Sequence, residues 1–390
     1  NLGHVDRQLL LARALRERGH EPVFVLRDLS RAHARVAVEG FRIGQAPVWL
    51  PRLNQPPRQG NFANVLAAAG WLDAPGLAGL LAGWQTWIDL LQPAAVLADH
   101  APTALLAARG SGLPLWACGS AFEIPPALQG SFAPFRVDDA RERAACNGYD
   151  HSVLPSVNAA LGLLGRPPLA RLTAIFDGVG KVLLTLPELA HYGDLGASAA
   201  DVHWVGPLFA ASSGADARWP DGPGPRAFVY VEPGQPVFEP LVAALQASGL
   251  RSLVHAKGLA EAAARRLSGP GLRFEPNPVR MDQALAGADL VVCHGGQGTL
   301  AAAALAGKPV LVLPTQLEQA MAARRVQACG WGLAVEPAGP PPTLAPVLLR
   351  LLREPGFAQA AQVVAQRHAG ATPAATAQRV ADLVSAGLGA

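Results

Sequence analysis

The sequence predicts an α/β protein of two doubly wound, Rossmann-like domains. Three observations carry that prediction. Half of the 390 residues are hydrophobic and 16% are charged, which is enough apolar material for two cores of ordinary domain size. Short apolar runs alternate with stretches of helical periodicity in both halves of the chain, as in parallel strands joined by crossover helices. Between the halves, Gly206 to Pro225 is rich in Gly, Ser and Pro and reads as a linker. It sets a first domain over 1–205 and a second over 226–390.

In the first domain, Asn1 to His4 reads as a turn. Val5, Leu9, Ala12 and Leu15 then stand near helical spacing, so Val5 to Arg18 is an amphipathic helix closed by Gly19. Glu21 to Leu26 is a strand, and Arg42 to Gly70 reads as long loops with short strands. Trp71, Trp84 and Trp87 fall in helices, and Trp84 and Trp87 read as core. Ala94 to Ala98 is a strand ending at Asp99, before a helix over Thr103 to Arg109, a turn at Gly110 to Gly112 and a strand over Leu113 to Ala117. Asp99 thus sits at a strand's carboxyl end, where α/β folds place their chemistry. In purely structural terms it would cap the next helix, and His100 beside it reads as structural. Gly119 to Pro126 is a loop, Ser156 to Leu164 a helix, and Val182 to Leu186 and Val202 to Val205 are strands.

The second domain opens with a strand, Ala227 to Val231, and the turn Glu232-Pro233-Gly234-Gln235-Pro236. Its prolines remove backbone donors, and Glu232 would repel an anion if it faced inward. Ser252 to His255 and Leu272 to Glu275 are strands, and Ala260 to Leu267 and Met281 to Ala286 are helices. The densest signal runs from Asp289 to Arg325. Leu290 to Cys293 is a buried strand, His294-Gly295-Gly296-Gln297-Gly298 a turn, Thr299 an N-cap, Leu300 to Ala306 a helix and Val310 to Leu313 the next strand. Three glycines in four positions let backbone N–H groups approach a ligand, and the helix N-terminus favours an anion. A phosphate or pyrophosphate is the natural ligand, with discrimination left to geometry and to His294. Gln316 to Gly330 holds the next helix, Pro340 to Pro342 is a loop, and the last helix covers about 373–386.

By spacing alone, a dinucleotide competes for this turn. Gly296-x-Gly298-x-x-Ala301 fits the loose G-x-G-x-x-G/A fingerprint, and Glu318 lies 20 residues past Gly298, where a ribose-binding acid would stand. A tight turn with no ligand is the plainer alternative. The longer pattern favours another reading. It comprises His294-Gly295-Gly296, Gly298-Thr299, Ala304-Leu305, Gly307, Pro309, Pro314, Glu318-Gln319, Arg325-Val326, Gly330 and Gly332. Together these residues resemble the nucleotide-sugar glycosyltransferases of family 1, of GT-B type, which include the macrolide and glycopeptide antibiotic glycosyltransferases.

The resemblance implies two domains facing a cleft, with the last helix crossing back to the first domain. It implies inverting transfer of a hexose from a UDP- or dTDP-sugar to a hydroxyl of a small lipophilic acceptor, with no metal and no other cofactor. Gly3-His4 resembles the family's Gly-His turn, which makes His4 the general base and Asp99 its partner. Imidazole titrates near pH ~6.5 and so is available as a base at neutrality. The resemblance places the donor pyrophosphate at His294, Gly295, Gly296, Gly298 and Thr299, and sugar hydroxyls at Glu318 and Gln319. It places the nucleobase on the backbone of Asn277-Pro278-Val279, and puts Gly234 in the turn that family members lay against the donor phosphates. The acceptor pocket falls in the first half, with Ser120, Phe122 and Glu123 of the loop after the strand, by position, and Trp71 as candidate lining. A strand's length of chain is expected to precede Asn1. The alternatives are a nucleotide-sugar epimerase on the same fold, an NAD(P) enzyme built on Gly296, Gly298 and Ala301, and a non-catalytic relative that binds or partners.

A net charge of +3 predicts no nucleic-acid partner and no membrane surface. No apolar run reaches the ~18 residues of a membrane helix, so no membrane insertion is expected. Cys118, Cys146, Cys293 and Cys329 form no C-x-x-C pair, which fits a reduced cytoplasmic protein, monomeric or homodimeric. There is no Asp-x-Asp pair for a metal; Asp138 and Asp139 are adjacent.

Overall fold

A computed structural model describes residues 2–49, 59–136, 139–193, 201–210, 214–335 and 343–389. The chain divides into two compact units. One comprises 1–185, 194–208 and 373–390, the other 186–193 and 209–372. Asn1, Asp138 and Pro340 to Pro342 lie outside the described residues.

The first unit holds a four-stranded parallel sheet in the order Val96–Ala98, Leu115–Gly119, Gly180–Leu183, Val202–Trp204, and a separate parallel pair, Val23–Leu26 with Arg42–Gln45. Its first helix is Leu2–Glu17, so Gly3 and His4 lie in a helical turn and not in the expected loop. That helix packs in two directions. Val5, Leu9 and Ala12 join Phe24, Val36 and Phe41, while Leu11 and Ala14 join Val182, Leu184, Val380 and Val384. The last two come from the terminal helix Pro373–Leu388, which Arg18 also ties by bonding Asp382 Oδ1. The expected helix at 156–164 is the end of a longer one, Ala140–Leu163, capped by Asp139 and running through Pro155. Trp84 and Trp87 are half-buried, and the Trp87 indole donates to Gln45 O at 3.0 Å.

The second unit is a six-stranded, all-parallel sheet in the order Leu272–Phe274, Arg251–Ala256, Arg226–Val231, Leu290–Cys293, Val310–Val312, Gly332–Ala334. Alternate residues of the central strands feed opposite cores. Phe228, Val291, Cys293 and Val312 face one layer of helices, and Ala227, Val229, Val292 and Leu311 face the other. Burial on both faces explains why these strands read as continuous apolar runs. In the stretch 206–225 the described residues are 206–210 and 214–225. Leu208 is buried in the first unit's core, whereas Phe209 and Trp219 pack on the second's and Ala215 bridges to Val279. Apolar side chains commit both ends of the stretch to a core. Among the described residues no single helix is long and apolar enough to cross a membrane, and none of the four cysteines is in a disulfide.

One buried acid gives the first unit a pH dependence. Asp150 is 4% exposed and accepts bonds from Asn61 Nδ2 at 2.7 Å and Phe132 N at 3.0 Å. Burial outweighs those bonds and pushes its carboxyl up to about 6. A raised carboxyl holds its proton in the folded state, so the favourable term is complete below pH ~4 and is lost as pH rises through ~6. The loss amounts to about 3 kcal/mol. We expect the melting temperature of Asp150→Asn to vary less than wild type between pH 4 and 7; parallel melting curves across that range would contradict this.

Candidate active site

The first unit gathers four ionisable groups around the end of the strand Val96–Ala98. Asp99 follows that strand with its side chain 8% exposed. A buried carboxylate needs donors, and the first helix supplies three from one face, at i, i+3 and i+4. His4 Nδ1 lies 2.8 Å from Asp99 Oδ1, Arg7 Nη2 2.6 Å from the same oxygen, and Gln8 Nε2 2.8 Å from Oδ2. Burial alone would raise Asp99, but the His4 hydrogen bond and the Arg7 charge reverse this and hold it at about 2. Burial would likewise lower Arg7, but Asp99 and Glu123 outweigh it and raise the guanidinium.

An ionised carboxylate only accepts, so the 2.8 Å contact requires a proton on His4 Nδ1. In the neutral ring Nε2 then keeps its lone pair. The 3.1 Å approach of Arg7 Nη2 to Nδ1 follows from both groups sharing Oδ1. On the other side of the ring, Nε2 lies 4.0 Å from Glu123 Oε1. Glu123 is fixed by Ser120 N–H, which donates to Oε2, and Arg7 Nη2 stands 3.8 Å from Oε1. His4, Asp99 and Glu123 are close enough together to hold a cation. Arg7 stands among them as a permanent positive charge.

Around this cluster the candidate acceptor residues fall differently. Phe122 is half-buried, stacked on Phe135 at 5.2 Å and 6.5 Å from the His100 ring. Ser120 is buried and serves the loop, taking a bond from Phe122 N on its hydroxyl. Trp71 is fully buried, its indole bonded to Thr103 Oγ1 at 3.3 Å, so it is a core residue and not a surface contact. His100 is exposed, with a left-handed φ of 49° and its ring 6.5 Å from His4. Crowding by neighbouring atoms lowers its pKa. It belongs to the rim of the site, which a purely structural reading misses. Arg7 and Gln8 were also missed, although their helical spacing from His4 could have found them once the helix is begun at Leu2.

The second unit carries the glycine turn. Gly295 has φ 94°, and a Cβ there would lie 2.8 Å from Val312 Cγ1, so only glycine fits. A Cβ at Gly298 would crowd Phe209 at 3.2 Å. The helix Gln297–Leu305 is capped by Gly296, which places Thr299 in the first turn and not at the N-cap, with 8% exposure. Glycine offers the N-cap conformation without a side chain, leaving the first-turn N–H groups open to a ligand. Burial lowers the pKa of His294, with Glu232 opposing and Lys257 assisting. Its ring lies 5.4 Å from Tyr230. The charge of Glu232 therefore does reach this site. Gly234 is exposed in the turn after Arg226–Val231, with open space where a Cβ would stand.

Glu318 lies in the first turn of the helix Leu317–Ala328, its Oε1 3.2 Å from His191 Nε2, which is itself 3.1 Å from Gln297 Nε2. Gln319 is 4% exposed, and its Oε1 takes bonds from Thr315 N at 2.8 Å and Thr315 Oγ1 at 3.0 Å. Its carbonyl is thus committed to capping, and Glu318 is the more accessible of the pair. Val279 is buried at 4%. The bridge to Ala215 uses Pro278 O and Arg280 N, so Val279's own N–H and C=O point the other way.

Residues 263–383 match the family model of the erythromycin biosynthesis protein CIII-like C-terminal domain. An elloramycin glycosyltransferase of Streptomyces olivaceus is 49% identical over 75 residues, which is 19% of this chain and 18% of that protein. The match therefore spans less than a fifth of the curated relative. A solved glycosyltransferase of kitacinnamycin is 18% identical, covers 98% of this chain and 95% of its own, and has a TM-score of 0.71. Another solved glycosyltransferase, crystallised in complex with dTDP, is 15% identical, covers 100% of this chain and 97% of its own, and has a TM-score of 0.64. The chain thus has the GT-B fold of these solved glycosyltransferases, and its residues 263–383 resemble the erythromycin biosynthesis protein CIII-like C-terminal domain.

Proposed function

We propose that this chain is an inverting glycosyltransferase that moves a hexose from a UDP- or dTDP-sugar to a hydroxyl of a small lipophilic acceptor. The observation that carries the reading is the 2.8 Å pairing of His4 Nδ1 with Asp99 Oδ1. It commits Nδ1–H and leaves Nε2 as a base. The acceptor O–H gives its proton to Nε2, and Asp99 stabilises the imidazolium that forms. The acceptor oxygen attacks the anomeric carbon as the bond from that carbon to the pyrophosphate oxygen breaks, so a single displacement inverts the centre. The departing diphosphate is met by the first-turn N–H groups of Gln297–Leu305 and by His294, a hydrogen-bond donor whose depressed pKa favours the neutral ring. In this reading Glu318 takes sugar hydroxyls and the Val279 backbone takes the nucleobase. No step draws on a metal. The dTDP complex of a GT-B neighbour supports a nucleoside diphosphate donor, and four cysteines outside any disulfide fit a cytoplasmic setting.

Two variants separate the steps. His4→Ala should reduce transfer at least 100-fold while leaving nucleotide affinity within about twofold of wild type, since general-base catalysis contributes ~10²–10⁴. Transfer that survives the substitution would refute the base. Gly295→Ala should do the reverse, weakening nucleotide binding through the clash with Val312. Calorimetric titration checks it, and unchanged affinity would remove the turn from the donor site.

A thermal-shift panel of UDP, dTDP, GDP, NAD and NADP tests the ligand class. At 100 times its Kd a ligand stabilises by ~2.7 kcal/mol. For a domain of this size that raises Tm by roughly 5–10 °C. We expect shifts with UDP or dTDP; a shift with NAD or NADP alone would overturn the reading.

A further inference from the structure

We infer that Glu123 is a second acceptor-binding group, which selects molecules carrying a hydroxyl on the atom adjacent to the one that is glycosylated. This rests on His4 as the base. Glu123 Oε1 lies 4.0 Å from His4 Nε2, too far for a bond between them. Both atoms accept hydrogen bonds. A single hydroxyl carries one proton and satisfies one of them; a vicinal diol offers one donor to each.

The carboxylate is built into place. Its side chain is 10% exposed, Oε2 is taken by Ser120 N–H, and Arg7 stands 3.8 Å from Oε1. Gly119 makes room for it, since a Cβ there would lie 2.8 Å from Oε2. The Oε1 atom has no hydrogen-bond partner among the described residues, although the side chain is nine-tenths buried. The nearby rings of His100 and Phe122 are accessible and 6.5 Å apart, which gives a flat diol an aromatic wall.

The test uses the full chain without a sugar donor, so it reads binding and not transfer. Catechol, its monomethyl ether guaiacol, and phenol are titrated by saturation-transfer NMR. Wild type should bind catechol about tenfold more tightly than guaiacol or phenol, the loss expected when a bond to a charged group is missing. Glu123→Gln keeps an oxygen for Ser120 N–H but turns the ligand-facing atom into a donor, and Glu123→Asp withdraws the carboxylate. Both should bring the ratio within about twofold while dTDP binding stays unchanged. A ratio equal in wild type and the variants, including no binding in any of them, would overturn the assignment. Failure of the base would appear separately, as transfer surviving in His4→Ala with the catechol ratio intact.

Discussion

The first unit depends on how one buried charge is satisfied. Asp99 ends a strand in a crowded setting, where an unpaired carboxylate would cost several kcal/mol or take up a proton. The first helix answers with His4, Arg7 and Gln8 on one face, which fixes its rotation and depth against the sheet. In the proposed mechanism the same bonds decide the chemistry. The His4 hydrogen bond and the Arg7 charge keep Asp99 ionised, the ionised oxygen takes the proton of His4 Nδ1, and in the neutral ring Nε2 is left free. Stability and reactivity are set by one arrangement, so a change at Arg7 disturbs both.

The second unit uses no such charge cluster. Its site is a backbone device at the carboxyl end of Leu290–Cys293. A left-handed glycine is wedged against Val312, and a glycine N-cap opens the first turn of the next helix. The sheet beneath it is buried on both faces and holds the turn rigid. Glu232 brings a negative charge to His294 and Lys257 a positive one, so the balance around the turn is set by side chains from neighbouring strands.

Much of this was legible in the sequence. The fully buried strands of the second unit stand out as apolar runs, and the turn after Cys293 announces itself through glycines. The His4–Asp99 pair followed from the resemblance, at a sequence separation that no local pattern bridges. What escaped was set by packing. The helix starts at Leu2, which brings Arg7 and Gln8 onto the face of His4, and a turn over Gly3-His4 hides that spacing. Thr299 reads as a cap because threonine favours that position, but Gly296 takes the role. The stretch 206–225 has the composition of a linker, yet Phe209 and Trp219 are drawn into a core. Trp71 and Gln319 are ligand-competent residue types, but burial commits one to packing and the other to capping Thr315.

The central claim is that His4 presents an unprotonated Nε2. A long-range ¹H–¹⁵N correlation spectrum of the labelled protein at neutral pH, with His4 assigned by its loss in His4→Gln, reads this directly. The account predicts a protonated, pyrrole-like Nδ1 and a bare, pyridine-like Nε2. A protonated Nε2 with a bare Nδ1 would mean that Asp99 does not orient the ring, and would contradict the mechanism at its first step.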